Sequence, residues 1–221
     1  MKQNVRILIT DNHPMTVKGY ALFLENIEMG YRFDIECALS CDDVLDKMKR
    51  HKYNFYDLVL LDIGLPPSKD YLIISGEDLG IRIRSKFKAT KIFVHTALCD
   101  HQRISNIFKS LRPEGFVIKS DLHPAVFKDA INSVLKGQCY YSEQASRLIG
   151  DNQRDDLFLD ASDRKILYHL SKGERMKDLP GYIPLAMATI ERRKKNLKIR
   201  FGIPDGNTKQ LLDIARAKGF I

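Results

Sequence analysis

Over residues 1–137, short β-rich runs alternate five times with segments of helical period. The runs are Val5 to Thr10, Asp34 to Leu39, Asp57 to Asp62, Lys91 to His95 and Gly115 to Ile118. The helix-period segments lie near 15–28, 42–51, 77–88, 101–112 and 123–136. This alternation predicts an α/β fold, a doubly wound five-stranded parallel sheet covered by helices on both faces. The run from Asp57 to Asp62 is apolar between its two acids, as expected of a strand buried on both sides. Right-handed crossovers bring the strand ends to one edge, where open α/β sheets hold their ligands. Asp11, Asp62, Thr96 and Lys119 all fall at such ends, so four residues scattered in sequence should converge.

Asp62 taken alone reads as an Asp capping the turn before Pro66. The other three sites shift that reading. A carboxylate beside a cation site and an amine can act as a nucleophile toward phosphorus. The set Asp11, Asp62, Thr96 and Lys119 resembles the receiver domain of bacterial two-component response regulators, a flavodoxin-like fold, over about residues 4–137. The resemblance implies that Asp62 accepts a phosphoryl group from a phosphohistidine on a sensor histidine kinase, assisted by Mg²⁺. The implied metal ligands are Asp11, Asn12, Asp62 and the main-chain carbonyl of Gly64. Lys119 and the Thr96 hydroxyl are implied to meet phosphoryl oxygens. These roles suit the chemistry, because phosphoryl transfer depends on neutralising spread negative charge and on in-line positioning. Mg²⁺ is a hard cation that takes carboxylate oxygens and keeps several waters.

Two features depart from that pattern or extend it. Where the family has two adjacent acids, this chain has Asp11 and Asn12. An amide oxygen can bind Mg²⁺ but brings no charge, so either a weaker metal site or a receiver released from phosphorylation control follows. The segment 65–78 is long for its place and turn-rich, and loops of this kind are often functional. It is a candidate contact for the kinase or a partner receiver, and equally a surface insertion. Phe116 matches the family's switch aromatic. Phosphorylation adds roughly −1.5 to −2 charges; Thr96 would move toward them and open space for the ring. As a residue type, Phe116 is equally a plain core side chain.

Charge is unevenly spread. Residues 157–221 hold fourteen Lys/Arg against seven Asp/Glu, a net of +7 in a chain of +8, which leaves +1 for residues 1–156. Positive charge gathered in a small terminal segment is the electrostatic footprint of nucleic-acid binding. That segment reads as four short helices. The first starts at Asp160 or Ser162, carries Ile166, Leu167 and Leu170, and ends at Gly173. A short helix near Lys177–Leu179 precedes a turn from Pro180 to Pro184. A long helix, Met187–Phe201, is closed by Gly202, and a last one spans about Thr208–Lys218. Ile190, Leu197 and Phe201 share the apolar side of the long helix, and many basic residues lie off it. Such a helix can lie in a major groove.

Leu159, Ser162, Asp163, Arg164, Ile166, Leu167, Gly173, Lys177 to Leu179, Thr189, Ile190, Asn196, Leu197, Phe201, Gly202 and the run Ala217 to Ile221 resemble the helix-turn-helix of NarL/LuxR-type regulators. In that register Glu191, Arg192 and Lys195 are the base-reading positions, and Thr189, Lys194 and Lys198 are phosphate contacts. Glu can accept from cytosine N4 and Arg pairs with guanine; Glu191 is equally an exposed acid tempering the charge. Pro180 departs from the family and should end the second helix early.

At 221 residues, one or two domains are expected. No run is apolar and long enough to span a bilayer, and Met1 to Arg6 lead into a strand without the apolar region of a signal peptide. A cytoplasmic protein with no membrane partner is expected. Cys37, Cys41, Cys99 and Cys139 lack zinc-type spacing and should be reduced thiols. The expected organisation is a receiver at 1–137, a linker at 138–156 and a DNA-binding domain at 157–221. The expected function is a transcription factor that binds double-stranded DNA as a homodimer when phosphorylated, with no enzyme activity beyond its own phosphoryl chemistry. The alternative is a degenerate receiver, a phosphorylation-independent interaction platform with constitutive DNA binding. A hydrolase using Asp62 is disfavoured, because no second acid or activated-water group follows it.

Overall fold

A computed structural model describes residues 2–51, 55–150 and 157–221. The chain divides into two compact units, Met1–Ala97 with Leu111–Arg147, and Leu98–Ser110 with Leu148–Ile221. Residues 151–156 of the expected linker lie outside the described residues.

The first unit is built on β1 (Gln3–Thr10), α1 (Pro14–Asn26), β2 (Tyr31–Ala38), α2 (Cys41–Arg50), β3 (Leu58–Asp62), α3 (Gly76–Lys86), β4 (Lys91–Thr96), β5 (Gly115–Ile118), α5 (Pro124–Leu135) and β6 (Tyr140–Tyr141). Helix α4 (His101–Leu111) connects β4 to β5 in the chain. The strands form one sheet in the order β2-β1-β3-β4-β5-β6, and every pair is parallel. The five expected strands are all present. The sixth was not expected, since two residues are too few to show a period. It forms because the amides of Tyr140 and Ser142 donate to the carbonyls of Glu114 and Phe116 at 2.9 and 3.0 Å. That pairing satisfies backbone groups along the free edge of β5.

All five residues of β3 are buried, as its unbroken apolar run required. Ile7, Ile9, Leu58, Leu60, Phe93 and Val117 share one face of the sheet with Val17 and Leu24 of α1 and Phe127, Ile131 and Val134 of α5. Helices α2 and α3 cover the other face. There, a Cβ on Gly80 of α3 would come within 2.7 Å of Leu61. The central strand β3 therefore has both faces dry, whereas the edge strand β2 alternates partly buried and exposed residues.

The long segment after Asp62 is a closed, hydrogen-bonded turn. The Ser68 amide donates to the Ile73 carbonyl at 2.8 Å, and the Ser68 hydroxyl donates to Asp70 at 2.6 Å and accepts from the Ile73 amide at 3.1 Å. Its apolar cluster splits: Ile73 and Ile74 are buried, whereas Tyr71 and Leu72 are exposed. Gly76 ends the loop hard against the sheet, where a Cβ would lie 1.9 Å from the Asp62 carbonyl oxygen. Only glycine allows α3 to start there.

The second unit contains α4, α7 (Ala161–Ser171), a 3-10 helix (Met176–Gly181), α8 (Met187–Arg200) and α9 (Thr208–Ala217); α6 (Glu143–Gly150) runs across the boundary. Leu159, Ile166, Leu167, Leu179, Ile190, Leu197 and Leu211 form its core. Asp160, not Ser162, caps α7 by accepting from the Asp163 amide. The short second helix is 3-10 and holds Pro180 one residue before its end. The missing proline amide keeps it from growing into an α-helix. Helix α4 joins this unit through a reciprocal pair. The Leu159 amide donates to Asn106 Oδ1 at 2.6 Å, and Asn106 Nδ2 donates to the Leu159 carbonyl at 3.2 Å.

Helix α8 is tied to α7 by charge as well as packing. Arg193 donates to Asp160 and Asp163 at 2.8 Å each, and Arg200 to Asp163 at 3.3 Å. Burial pushes the Asp163 carboxyl up, while the hydrogen bond to Asp163 pushes Arg193 up. The short contacts decide in favour of an ionised pair at neutral pH. Charge-assisted bonds of this kind contribute about 1.5–3 kcal/mol each. Asp163→Ala should therefore lower the stability of this unit by about 2 kcal/mol, read as an earlier urea midpoint with unchanged slope.

Candidate functional site

The carboxyl edge of the sheet gathers the expected residues. Asp62 is the last residue of β3, Asp11 follows β1, Thr96 ends β4 and Lys119 follows β5. Asp11, Asp62 and Thr96 are buried. Lys119 Nζ donates to Asp11 Oδ2 at 2.7 Å and lies 3.1 Å from Asp62 Oδ1, so one ammonium bridges two carboxylates. The Thr10 hydroxyl donates to the Leu60 carbonyl at 3.0 Å and accepts from the Asp62 amide at 3.3 Å. This fixes the end of β3 against β1. A Cβ on Gly64 would lie 3.1 Å from Asp62 Oδ2, so glycine keeps the loop backbone close to the carboxylate. Thr96 stands opposite Ile118 in the register of β4 and β5, and Phe116 stands opposite Val94. The Phe116 ring is fully buried. Asn12 is exposed on the bend after Asp11.

Electrostatics separate the two acids. Burial by itself raises the Asp11 carboxyl, but hydrogen bonds from Lys119 and from the amide and ring of His13 outweigh it and hold Asp11 below its ordinary value. Asp62 moves the other way. Burial raises it, the Asp11 charge adds to the rise, and Lys119 and the Gly64 amide offset only part. Asp62 is therefore the more basic oxygen donor at the edge, suited to attack an electrophile.

His95 belongs to this cluster, although in the sequence it marks only the end of a strand. It is 1% exposed, and Nε2 lies 3.2 Å from the Thr10 carbonyl. Nδ1 faces Asp11 Oδ2 at 3.8 Å. Burial, followed by the charge of Lys119, pushes its pKa down to about 3, so the ring is neutral at physiological pH. The available signal was a lone polar side chain ending the apolar run of β4. One donor atom from each of Asp11, Asp62 and His95 lies within 4.8 Å of the others. Two carboxylates and a buried imidazole on rigid strand ends fit a divalent cation.

On α8, Glu191, Arg192 and Lys195 are exposed, and Thr189, Lys194 and Lys198 are half-buried. Ile190 and Leu197 are buried. Burial, and then the neighbouring Lys198 charge, lower Lys194. Arg193 and Arg200, also basic, face the α7 acids instead.

The raised Asp62 carboxyl carries a sign. Its folded form binds a proton more tightly than its unfolded form, so ionising it as pH rises through the ordinary carboxylate range costs stability. Asp62→Asn should raise Tm by roughly 2–4 °C at neutral pH, the scale of 1 kcal/mol in a chain this size. The gain should shrink as pH falls toward about 4, as calorimetry across pH would read.

No family model matches the chain. The oxygen regulatory protein NreC of Staphylococcus epidermidis is 21% identical over 212 residues, 90% of this chain and 92% of that protein. NreC of Staphylococcus aureus is 22% identical over 211 residues, with the same coverage. Among solved structures, RcsB from Salmonella enterica serovar Typhimurium, bound to promoter rprA in the presence of the phosphomimetic BeF3-, superposes with a TM-score of 0.69 at 21% identity, covering 96% of this chain and 98% of that one. The isolated REC domain of the same RcsB covers 66% of this chain with a TM-score of 0.54 at 23% identity. Among the described residues no helix is long and apolar enough to cross a membrane. Along nine-tenths of its length the chain is a homologue of NarL/LuxR-type response regulators, a parallel-sheet receiver followed by a helical helix-turn-helix domain.

Proposed function

We propose that the chain is a cytoplasmic, phosphorylation-controlled transcription factor. Residues 1–137 form the receiver, 138–156 the linker and 157–221 the DNA-binding domain. Asp62 accepts a phosphoryl group from the phosphohistidine of a sensor histidine kinase, with Mg²⁺ held by Asp11, Asp62, Asn12 and the Gly64 carbonyl. The observation that carries this reading is the Lys119 ammonium within 3.1 Å of Asp62 and 2.7 Å of Asp11. It leaves a basic carboxylate beside a fixed positive charge at an edge where a phosphoryl group gains three acceptor oxygens. Mg²⁺, when bound, neutralises charge on the transferring group. Lys119 pairs with one phosphoryl oxygen as a point charge, and the Thr96 hydroxyl meets another. Phe116, packed inside β5, responds to the displacement of Thr96.

On the same reading, α8 enters the major groove of double-stranded DNA, and two copies of the chain pair on two half-sites. The promoter complex of the similar RcsB supports carrying DNA binding over to this chain. Glu191, Arg192 and Lys195, exposed on α8, read base edges, and Thr189, Lys194 and Lys198 meet phosphates. Arg193 and Arg200 are excluded because Asp160 and Asp163 hold them.

Incubation with acetyl phosphate should add one phosphoryl mass to the chain in Mg²⁺, and none without the metal or in Asp62→Asn. No gain with either acetyl phosphate or a kinase partner would instead support the degenerate-receiver reading, because Asn12 would then have removed the metal affinity the step needs. For DNA, Lys198→Ala should weaken binding about equally across sequences and lower the salt slope by about one. Arg192→Ala should relax preference at one base position at a cost of about 1–3 kcal/mol. Fluorescence anisotropy at several salt concentrations separates the two outcomes.

A further inference from the structure

Asp11, Asp62 and Lys119 leave the receiver edge short of one positive charge. The two carboxylates carry two negative charges and the bridging ammonium only one. Asn12, exposed on its bend, brings no charge of its own. His95 completes a different donor set. Its Nε2, 3.2 Å from the Thr10 carbonyl, must carry the ring proton, since a carbonyl oxygen only accepts. That leaves a lone pair on Nδ1. This atom is buried and has no hydrogen-bond partner, and it faces Asp11 Oδ2 at 3.8 Å. Lys119 already donates to that Oδ2 at 2.7 Å, but nothing donates to Nδ1, so its lone pair stays unsatisfied in a dry site unless a cation lies between the two atoms. Tyr20 packs edge-on against the ring at 5.3 Å, which helps hold that orientation. An imidazole that gives its other N–H to a backbone carbonyl is the arrangement proteins use to orient a metal-binding histidine.

We infer that His95 Nδ1 is a direct metal ligand, and that this edge binds a divalent transition ion of the Mn²⁺, Co²⁺ or Zn²⁺ class in preference to Mg²⁺. The inference rests on the reading that Asp11 and Asp62 hold a cation, and it changes which cation. Mg²⁺ demands oxygen ligands and keeps its waters. A nitrogen donor shifts selectivity toward the first-row transition ions, for which imidazole is a suitable ligand. The histidine then takes the place of the missing second acid as third protein ligand. It supplies coordination in place of charge, and it does so from β4 instead of from the bend after β1.

The test uses the full-length chain and the metals alone. Mn²⁺ binding is followed by loss of the free-ion electron paramagnetic resonance signal, and Mg²⁺ is measured by competition. Mn²⁺ should bind at least about tenfold more tightly than Mg²⁺, the scale of one ligand's contribution. Electron spin echo modulation of the Mn²⁺-loaded protein should show a directly coordinated nitrogen. In His95→Leu the preference should collapse about tenfold while Mg²⁺ affinity stays put. Should that variant fail to fold, the nitrogen coupling in the unaltered chain still decides. Mg²⁺ binding with no nitrogen coupling on Mn²⁺ overturns the inference and leaves the Asp11–Asp62 cation site intact. Failure of both ions to bind at millimolar concentration overturns the cation site as well.

Discussion

The Lys119 bridge to Asp11 and Asp62 is the interaction on which the arrangement of this edge depends. It joins the ends of β1, β3 and β5, which are not neighbours in sequence, through one side chain at 2.7 and 3.1 Å. Without that ammonium, two buried carboxylates would face each other across a dry site, an arrangement that costs several kcal/mol per uncompensated ion. With it, the sheet can end in acids at the place where its parallel strands open to ligands. The dry faces of β3 hold the carboxylate of Asp62 in one position, and Gly64 and Gly76 let the following loop approach it closely. Packing, charge and backbone permissiveness thus act on the same few ångströms.

A second electrostatic device organises the basic half of the chain. Of the cations on α8, Arg193 and Arg200 are held by Asp160 and Asp163, and Arg192 and Lys195 face outward. The first pair ties α8 to the start of α7; the second gives it a charged surface. Composition alone reports one net charge for all of them. Asp160 serves this tie and also caps α7, so the start of one helix and its tie to the next share the same carboxylate. Helix α4 adds a third constraint, through the paired hydrogen bonds of Asn106 with the backbone of Leu159.

Asp11 and Asp62 were both legible as edge residues because each follows an uninterrupted β-rich run, and Lys119 for the same reason. Their opposite proton affinities were not legible. That difference comes from the hydrogen bonds that His13 and Lys119 give Asp11, whereas at Asp62 burial and the Asp11 charge outweigh Lys119 and the Gly64 amide. The role of His95 was not legible, because one polar residue at the end of a buried strand carries no pattern of its own. Its meaning lies in an orphaned Nδ1 aimed at a carboxylate contributed from 84 residues away in the sequence. The strand Tyr140–Tyr141 is illegible for a related reason: two residues have no period, and only the open edge of β5 makes them a strand.

By itself the sequence determined the alternation of strands and helices, the convergence of Asp11, Asp62, Thr96 and Lys119, the basic terminal segment and the apolar stripe of α8. Those follow from periodicity and local propensity, which are written along the chain. Only the tertiary structure decided which cations of α8 are committed to ion pairs with Asp160 and Asp163, which carboxylate is held below its ordinary value and which above, and that a histidine enters the acidic edge. These depend on distances between residues far apart in sequence, where burial and charge act through space and no local pattern records them.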